Sequence, residues 1–420
     1  MNKYILHTVF LLLIAGGLSG DCESGDDSPD KMFFHSRNIS SKSLRLIIQK
    51  VTSAVYLPWD NSVVMAVEPV AVGENNIFKF VFDHSNENEN PFKAYDRKIT
   101  NGPIRLIQTS LTGEYMALTG RTRELVLLKN ELQHKVFYLE DEITAMEFDE
   151  NGNNILALGD RSGKLIIIDV EKASILDTFE VLNDEITSLT FYKNSQLLLV
   201  GKGSHVHQVD INLKKIVRTI ETESLKRRIL RLLGFVHCAQ QRINKVLYIR
   251  SIDKIVTTHG WDYCKDNRVG IWDGTSGLSF KEMNQFKFPI YHLAWVSKSN
   301  TLVLVDHNES MWRFKMDDYS LSNPISLPNS MTYLRMENGK PISHKNLFGH
   351  VQSMVTIPGK SILLLGLGSY FKGGPGLLLT KLNSDHQKNL ARVVIYNDSS
   401  KYLYLNEELY YQFKPPSVLP

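Results

Sequence analysis

The sequence predicts an all-β protein, a β-propeller of repeated four-stranded blades, and two internal copies of one pattern carry this prediction. Residues 143–159 and 186–201 each contain an alternating apolar strand, a polar turn, a second apolar strand and a glycine. This pattern is typical of two antiparallel strands joined by a tight turn. Further strand-like runs follow the two copies, at 164–169 and 174–179, and at 205–210 and 215–220. The repeating unit therefore has four strands and no helix.

The same pattern opens at seven places along the chain. The opening residues are Val51, Ile104, Ile143, Ile186, Val246, Ile290 and Val351. The shorter intervals between them match the roughly 40–45 residues of a four-stranded propeller blade, and the longer ones require loop insertions. We therefore predict a seven-bladed propeller over residues 44–415, with six or eight blades as alternatives.

A ring of blades explains how such sheets bury their apolar residues. Each four-stranded unit is rich in Leu, Ile and Val on both faces, and only stacking around an axis covers both faces and leaves short edges. We predict that the N-terminal strand at residues 43–49 closes the ring as the outer strand of the last blade. Residues 392–396 are the competitor for that position.

Composition excludes several classes of protein. With 43% hydrophobic and 22% charged residues, the chain has the usage of a globular protein and not of a disordered, collagenous or multi-span membrane protein. Its formal net charge of +3 gives no electrostatic reason to bind nucleic acid or an anionic bilayer. We therefore expect no nucleic-acid partner.

The amino terminus has the layout of an export signal. Lys3 precedes an apolar run that ends in small residues near Gly20, and this run is too short to span a bilayer. We interpret residues 1–20 as a cleaved signal peptide and residues 21–43 as a flexible acidic linker, which predicts an extracytoplasmic protein. The alternatives are an uncleaved signal anchor and a soluble intracellular protein.

The three cysteines leave alternatives open. Cys22 follows the apolar segment as the first cysteine of a bacterial lipoprotein does, although Asp21 stands where that class has a small residue. Cys22 is thus either a lipid attachment site, which would anchor the protein to a membrane, or an exposed thiol in the linker. Cys238 and Cys264 form either a disulfide or two unlinked thiols, since sequence alone cannot place their Cα atoms within bonding range.

The insertion at residues 224–241 contains a predicted basic amphipathic helix between Ser224 and Gly234. Its cations are Lys226, Arg227, Arg228 and Arg231. Such a helix either binds a membrane surface or an acidic partner, or packs on the propeller with its cations in solvent. It is the best-defined partner-binding candidate in the sequence.

Neither metal nor cofactor sites are predicted, and no residue is assigned a catalytic role. The spacing of His237, Cys238, His259 and Cys264 fits no compact zinc pattern. His205 and His207 share one face of a strand but make an incomplete ligand set. The glycine-rich segment 366–376 leads into a strand and not into a phosphate-binding helix, so we interpret it as a long turn.

The chain resembles WD-repeat β-propellers. Asp266 to Asp273 (DNRVGIWD) nearly matches the ending of a WD repeat, and Gly349-His350 supplies the Gly-His pair. At equivalent positions the tryptophan is replaced by Ile168, Val209 or Phe314, while the terminal aspartate is retained as Asp169 and Asp210. In this family His, Ser or Thr, Asp and Trp join each blade through hydrogen bonds. The resemblance implies that Asp266 and Trp272, with Thr257 or Thr258, form part of such a network.

The resemblance also implies a function. WD-repeat propellers use their faces and rim to bind proteins, so we expect a monomeric ring that is a non-catalytic interaction platform. Two alternatives remain. One is an enzyme or small-ligand binder with its site at the channel mouth, and the other is a membrane-tethered assembly factor anchored through Cys22.

Overall fold

Strands dominate the computed structural model of the protein. The structure describes residues 48–69, 77–81, 92–94, 102–152, 154–223, 229, 242–260, 267–308, 310–326, 333–337, 340–344, 349–356, 362–369, 376–381 and 390–394. The chain divides into two compact units, residues 1–33 and residues 34–420. The first lies outside the described residues, so the architecture below is that of the second.

The first four blades follow one another without interruption. Blade 1 contains β1 (Ile48–Leu57), β2 (Ser62–Pro69), β3 (Ile77–Val81) and β4 (Phe92–Ala94). Blade 2 contains β5 (Ile104–Thr109), β6 (Tyr115–Gly120), β7 (Glu124–Lys129) and β8 (Leu132–Tyr138). Blade 3 contains β9 (Ile143–Phe148), β10 (Ile155–Asp160), β11 (Lys164–Asp169) and β12 (Ser174–Glu180). Blade 4 contains β13 (Ser188–Phe191), β14 (Gln196–Val200), β15 (His205–Asp210) and β16 (Lys215–Glu221).

Three more blades and one hairpin complete the described strands. Blade 5 contains β17 (Ile243–Ile249), β18 (Lys254–His259), β19 (Arg268–Asp273) and β20 (Ser279–Met283). Blade 6 contains β21 (Ile290–Val296), β22 (Thr301–Asp306), β23 (Ser310–Lys315) and β24 (Ile325–Ser326). The hairpin of β25 (Tyr333–Glu337) and β26 (Lys340–His344) precedes blade 7. Blade 7 contains β27 (Gly349–Thr356), β28 (Ile362–Ser369), β29 (Gly376–Lys381) and β30 (Leu390–Val394).

Strands within a blade pair antiparallel in chain order, and the innermost strands meet in a cycle. The contacts run from β1 to β5, β9, β13, β17, β21 and β27, and β27 contacts β1. A single bridge between Lys50 and Gly368 also joins blades 1 and 7. The described four-stranded sheets therefore follow one another as the blades of a β-propeller do, and the predicted all-β propeller fold is confirmed.

Six of the seven predicted openings fall on these innermost strands, and the one at Ile186 lies two residues before β13. The opening placed at Val246 lies inside β17, which begins at Ile243. Asn244 and Lys245 interrupt the apolar alternation there, so the pattern concealed the start of the strand.

The prediction for ring closure needs a correction. The outer position of blade 7, beside β29, is occupied by β30, which overlaps the competing segment 392–396. Ile48, at the end of the segment predicted for that position, instead pairs with Pro69 of blade 1. Residues 43–47 lie outside the described residues. β30 follows β29 along the chain, whereas the N-terminal segment leads directly into β1, the innermost strand of blade 1.

Apolar clusters fill the spaces between neighbouring blades. Leu57 and Ala66 of blade 1 pack with Met116 and Leu118 of blade 2, and equivalent clusters continue through blades 3, 4, 5 and 6. Since burial stabilises by roughly 25 cal/mol per Å² of apolar surface, these interfaces are the main source of stability for a chain whose WD-repeat residues are mostly replaced.

A bulge recurs near the start of the innermost strands. The second residue of the opening is skipped in the pairing with the second strand in six blades: Thr52, Arg105, Thr144, Asn244, Tyr291 and Gln352. The skipped side chain can then reach the next blade. Oγ1 of Thr52 donates to the carbonyl oxygen of Ile104, and Oγ1 of Thr144 donates to that of Ile186, each at 2.6 Å. The bulge therefore links consecutive blades by hydrogen bonds.

Candidate functional site

Several predicted site residues lie outside the described residues. They are Cys22, Cys238, Cys264, Lys226, Arg227, Arg228, Arg231 and Asp266. Lipidation, the disulfide and the basic helix therefore stay predictions. Of the predicted insertion at 224–241, only Ile229 is described, in helical conformation and exposed. Gly349 and His350 lie at the start of β27.

Trp272 lies in a buried polar network of blade 5. Its Nε1 donates a hydrogen bond of 2.9 Å to Oγ1 of Thr257 on the adjacent strand β18. The same Thr257 oxygen is 2.8 Å from Nε2 of His259. Of the two threonines named from the sequence, Thr257 is thus the one bonded to Trp272. His259 had no assigned role in the sequence because it ends a strand and follows no glycine.

Asp273 stabilises the turn after β19. Its Oδ1 accepts a hydrogen bond of 2.8 Å from the backbone N–H of Ser276. Oδ1 of Asp169 and Oδ1 of Asp210 likewise each accept a hydrogen bond from the backbone N–H three residues later, at 2.9 and 3.0 Å. The aspartate that ends the repeat therefore caps the hairpin between the third and fourth strands, which explains why it is present where the tryptophan is not.

A cavity of about 540 Å³ lies among the innermost strands, and we call it the channel. All seven of these strands contribute to its lining. The third residues of the openings, counted from Ile243 in blade 5, all line it: Ser53, Leu106, Ala145, Ser188, Lys245, His292 and Ser353. Gln108 and Glu147, two residues further along their strands, line it as well. The channel wall is thus polar and carries few charges.

Glu147 is a channel residue with a strongly altered acidity. Oγ1 of Thr190 donates a hydrogen bond of 3.0 Å to its Oε1, and the backbone N–H of Phe191 donates another. Burial, with a smaller effect from the negative charge of Glu150, raises the pKa of Glu147 to about 8. Glu147 therefore carries a proton at neutral pH over most of its population.

Lys245 and His292 supply the basic groups of the channel. Water reaches Lys245 from the channel, but the surrounding blades desolvate it and lower the pKa of its ammonium group, while the charge of Glu147 opposes that change. His292 donates from Nε2 to the carbonyl oxygen of Val351 at 2.8 Å. Burial, and then the charge of Lys245, lowers the pKa of His292 to about 4, so its ring is neutral at pH 7.

The outermost strands of blades 3, 4 and 5 form a second surface, which we call the apolar rim. It consists of Ile175, Leu176, Ile216, Val217, Leu278 and Phe280, whose side chains are 37% to 70% exposed. Leu176, Val217 and Phe280 occupy the same place in their blades, because each is skipped by a bulge in the pairing with the third strand. Lys214 forms a 2.6 Å ion pair with Asp177, and Arg218 donates to the carbonyl oxygen of Thr275 at 2.7 Å. These bonds hold the three blades in register.

Sequence reasoning did not find the charged channel residues or the apolar rim. The channel residues occupy the third and fifth positions of each opening. Lys245 at a third position and Glu147 at a fifth are charged residues in a mainly apolar pattern, and this was the signal that could have identified the channel. The rim was concealed because its apolar residues resemble those of any strand until the bulge turns them outward.

The described part of the chain offers no candidate for a membrane-crossing helix or for a metal site. No helix in it is both long and apolar enough to cross a bilayer. No group of three or more His, Cys, Asp or Glu residues among the described residues is arranged to hold a metal ion.

Comparison with known proteins agrees with this geometry. Residues 110–194 match the family model described as the Anaphase-promoting complex subunit 4 WD40 domain, which spans the region of the clearest repeats. No curated protein matches. The structure described as "Structure of U3-55K" is similar with a TM-score of 0.56 and 13% identity, over 76% of this chain and 89% of that one.

A second solved structure is similar over more of the chain. A chain of "Crystal Structure of Mitotic Checkpoint Complex" has a TM-score of 0.56 and 13% identity, and the match covers 84% of this chain and 97% of that one. At this identity the likeness defines the fold alone, and the class of protein is a β-propeller. The family match and the fold together support a WD-repeat β-propeller, a class that commonly mediates protein–protein interaction.

Proposed function

We propose that this protein is a non-catalytic platform for protein–protein interaction in an extracytoplasmic compartment, and that the apolar rim binds a protein partner. The observation that carries this proposal is the repetition of exposed apolar side chains at one position in three consecutive blades. Exposed large apolar side chains that recur at one position of neighbouring blades are suited to an interaction site, since apolar surface patches often mark such sites.

The geometry of the rim favours side-chain contacts over strand addition. A bulge in each outermost strand interrupts the ladder and twists the free edge, which opposes pairing with a strand from another protein. Leu176, Val217 and Phe280 project from these bulges, so a partner would bury them in pockets of its own. An aromatic and two aliphatic anchors within a charged surround resemble the centre of a protein interface.

Substitution of the rim tests this part of the proposal. We expect the variant Leu176→Lys/Val217→Lys/Phe280→Lys to lose partners that copurify with the wild-type protein from its host. The matched control is Leu111→Lys/Tyr138→Lys, which adds charge at exposed apolar residues of blade 2 and should retain them. Equal recovery of the same partners by the rim variant would overturn the assignment of the rim, provided that both variants keep the wild-type circular dichroism spectrum.

The compartment rests on residues 1–20 and needs its own measurement. An intact mass of the protein purified from its host should correspond to a chain that begins near Asp21. A mass that begins at Cys22 with added acyl chains would place the platform on a membrane, as an assembly factor tethered by lipid. An unprocessed Met1 would contradict the extracytoplasmic location.

A further inference from the structure

We propose that the channel is a binding site for a small organic monocarboxylate, with Lys245 as the residue that binds its carboxylate group. This inference goes beyond the interaction platform, because it concerns the axis of the ring and not its rim. It rests on the volume of the channel, the chemistry of its wall and the position of one ammonium group.

The volume and the wall suit a small polar molecule. Ligand sites generally have volumes of roughly 300–1,000 Å³, and the channel has about 540 Å³. Oγ of Ser53 accepts a hydrogen bond from the backbone N–H of Ile107 at 3.1 Å, and Oγ of Ser188 accepts one from that of Val246 at 3.3 Å. Each hydroxyl therefore keeps its proton for donation to a ligand. Gln108 and Gln352 add donors and acceptors to the wall.

Lys245 supplies an ammonium group without a close counter-ion. Within the described part of the chain, burial and the charge of Glu147 are the influences on its pKa, and neither is a hydrogen bond. The other cation of the wall, Arg105, is already paired with Glu142 of the next blade. Lys245 is exposed to the channel, so a carboxylate can reach its ammonium group and accept a charge-assisted hydrogen bond from it. An incoming carboxylate would therefore bind at Lys245.

The remaining charges of the wall set the class of anion. Glu150 lines the channel, and Glu147 beside it gains a negative charge as the pH rises toward its pKa of about 8, so these acids repel a ligand of high negative charge. One available cation beside these acids favours a monoanion over a phosphate or a polyanion. His292 adds no charge at pH 7, because its ring is neutral. The hydroxyl and amide groups favour a carboxylate that also carries hydroxyl groups, for which glucuronate is a suitable probe.

The experiment is an isothermal titration of the full mature chain with glucuronate, with methyl glucoside as the neutral probe of similar size. We expect glucuronate to bind and methyl glucoside to bind at least about tenfold more weakly, since a charge-assisted hydrogen bond contributes roughly that factor. Lys245→Gln should lose about the same factor for glucuronate, and Lys245→Arg should restore part of it. The matched control, Lys135→Gln, removes an exposed lysine of blade 2 and should bind as the wild type does.

Three outcomes would overturn the proposal. They are no heat of binding with glucuronate, equal binding of glucuronate and methyl glucoside, and unchanged affinity in Lys245→Gln. Tighter binding of inorganic phosphate than of glucuronate would reject the carboxylate class. Because Lys245→Gln could disturb folding, Glu147→Gln provides an independent readout. In the Lys245→Arg background, whose guanidinium stays charged, Glu147→Gln should tighten glucuronate binding severalfold at pH 8 by removing the repulsion, and weaker or unchanged binding would count against the site.

Discussion

Nε1 of Trp272 donates a 2.9 Å hydrogen bond to Oγ1 of Thr257, and both side chains are buried in blade 5. The bond joins β19 to β18, and the same Oγ1 of Thr257 lies 2.8 Å from Nε2 of His259. Because buried polar groups lose their contacts with water, such a chain stabilises the blade only while each member keeps its partner.

We expect Trp272→Phe to lower the free energy of unfolding by roughly 1–3 kcal/mol, through the lost hydrogen bond and the smaller ring. Urea denaturation of Trp272→Phe, Thr257→Val and the double variant measures the coupling. The two changes should be non-additive by about 1 kcal/mol. Strict additivity would mean that the two side chains contribute independently.

Gly163 occupies a position that a larger residue cannot share. Its φ is +93°, and an added Cβ would lie 2.1 Å from the carbonyl oxygen of Leu182. Gly163→Ala should therefore destabilise by roughly 2–5 kcal/mol, from the left-handed backbone together with the overlap.

Gly152→Ala separates these two causes. Gly152 also has a positive φ, +78°, but nothing lies within 4 Å of an added Cβ. Gly152→Ala should therefore lower the free energy of unfolding only through the left-handed backbone, by roughly 1–2 kcal/mol. If thermal denaturation gave the two variants equal melting temperatures, the close approach of Leu182 would not contribute.

Thr144 connects blades 3 and 4. Its Oγ1 donates a hydrogen bond of 2.6 Å to the carbonyl oxygen of Ile186. Thr144→Val removes this donor and keeps the shape of the side chain, so it should lower the free energy of unfolding by about 1 kcal/mol. The exposed Thr178 of β12 is the control, and Thr178→Val should change the free energy of unfolding by less than about 0.5 kcal/mol. Urea denaturation compares the two, and equal effects would argue against a link between blades.

Glu147 should give the stability of the protein a measurable pH dependence. The folded protein retains this proton up to a pKa of about 8, whereas the unfolded chain releases it near 4.5. Between these pH values the folded state binds more protons, so rising pH lowers the free energy of unfolding. Glu147→Gln should flatten that decline, as followed by urea denaturation across the interval.

The control for this pH dependence is Glu140, which is exposed on blade 2. A hydrogen bond from Lys164 lowers the pKa of Glu140, so its contribution changes only below the ordinary value. Glu140→Gln should therefore leave the slope between pH 4.5 and 8 unchanged. A flattening in both variants would show that Glu147 is not the source.

Much of the fold could be predicted from the sequence, because the strand pattern is local. The openings at Ile104, Ile143 and Ile290 coincide with the starts of innermost strands. The opening predicted at Val246 lies three residues after the start of β17, because Lys245, which lines the channel, interrupts the apolar alternation. The candidate site was less predictable, as Glu147 and Lys245 are far apart in the chain and only the ring brings them near each other.

The sequence by itself determined that this protein consists of repeated four-stranded units, because alternation with a period of two and polar turns act over neighbouring residues. Only the tertiary structure decided which strand takes the outer edge of blade 7, which threonine bonds to Trp272 and which side chains line the channel. Each of these depends on contacts between residues distant in sequence. Such contacts form when blades pack together and bulges redirect individual side chains, and a linear pattern contains no record of that geometry.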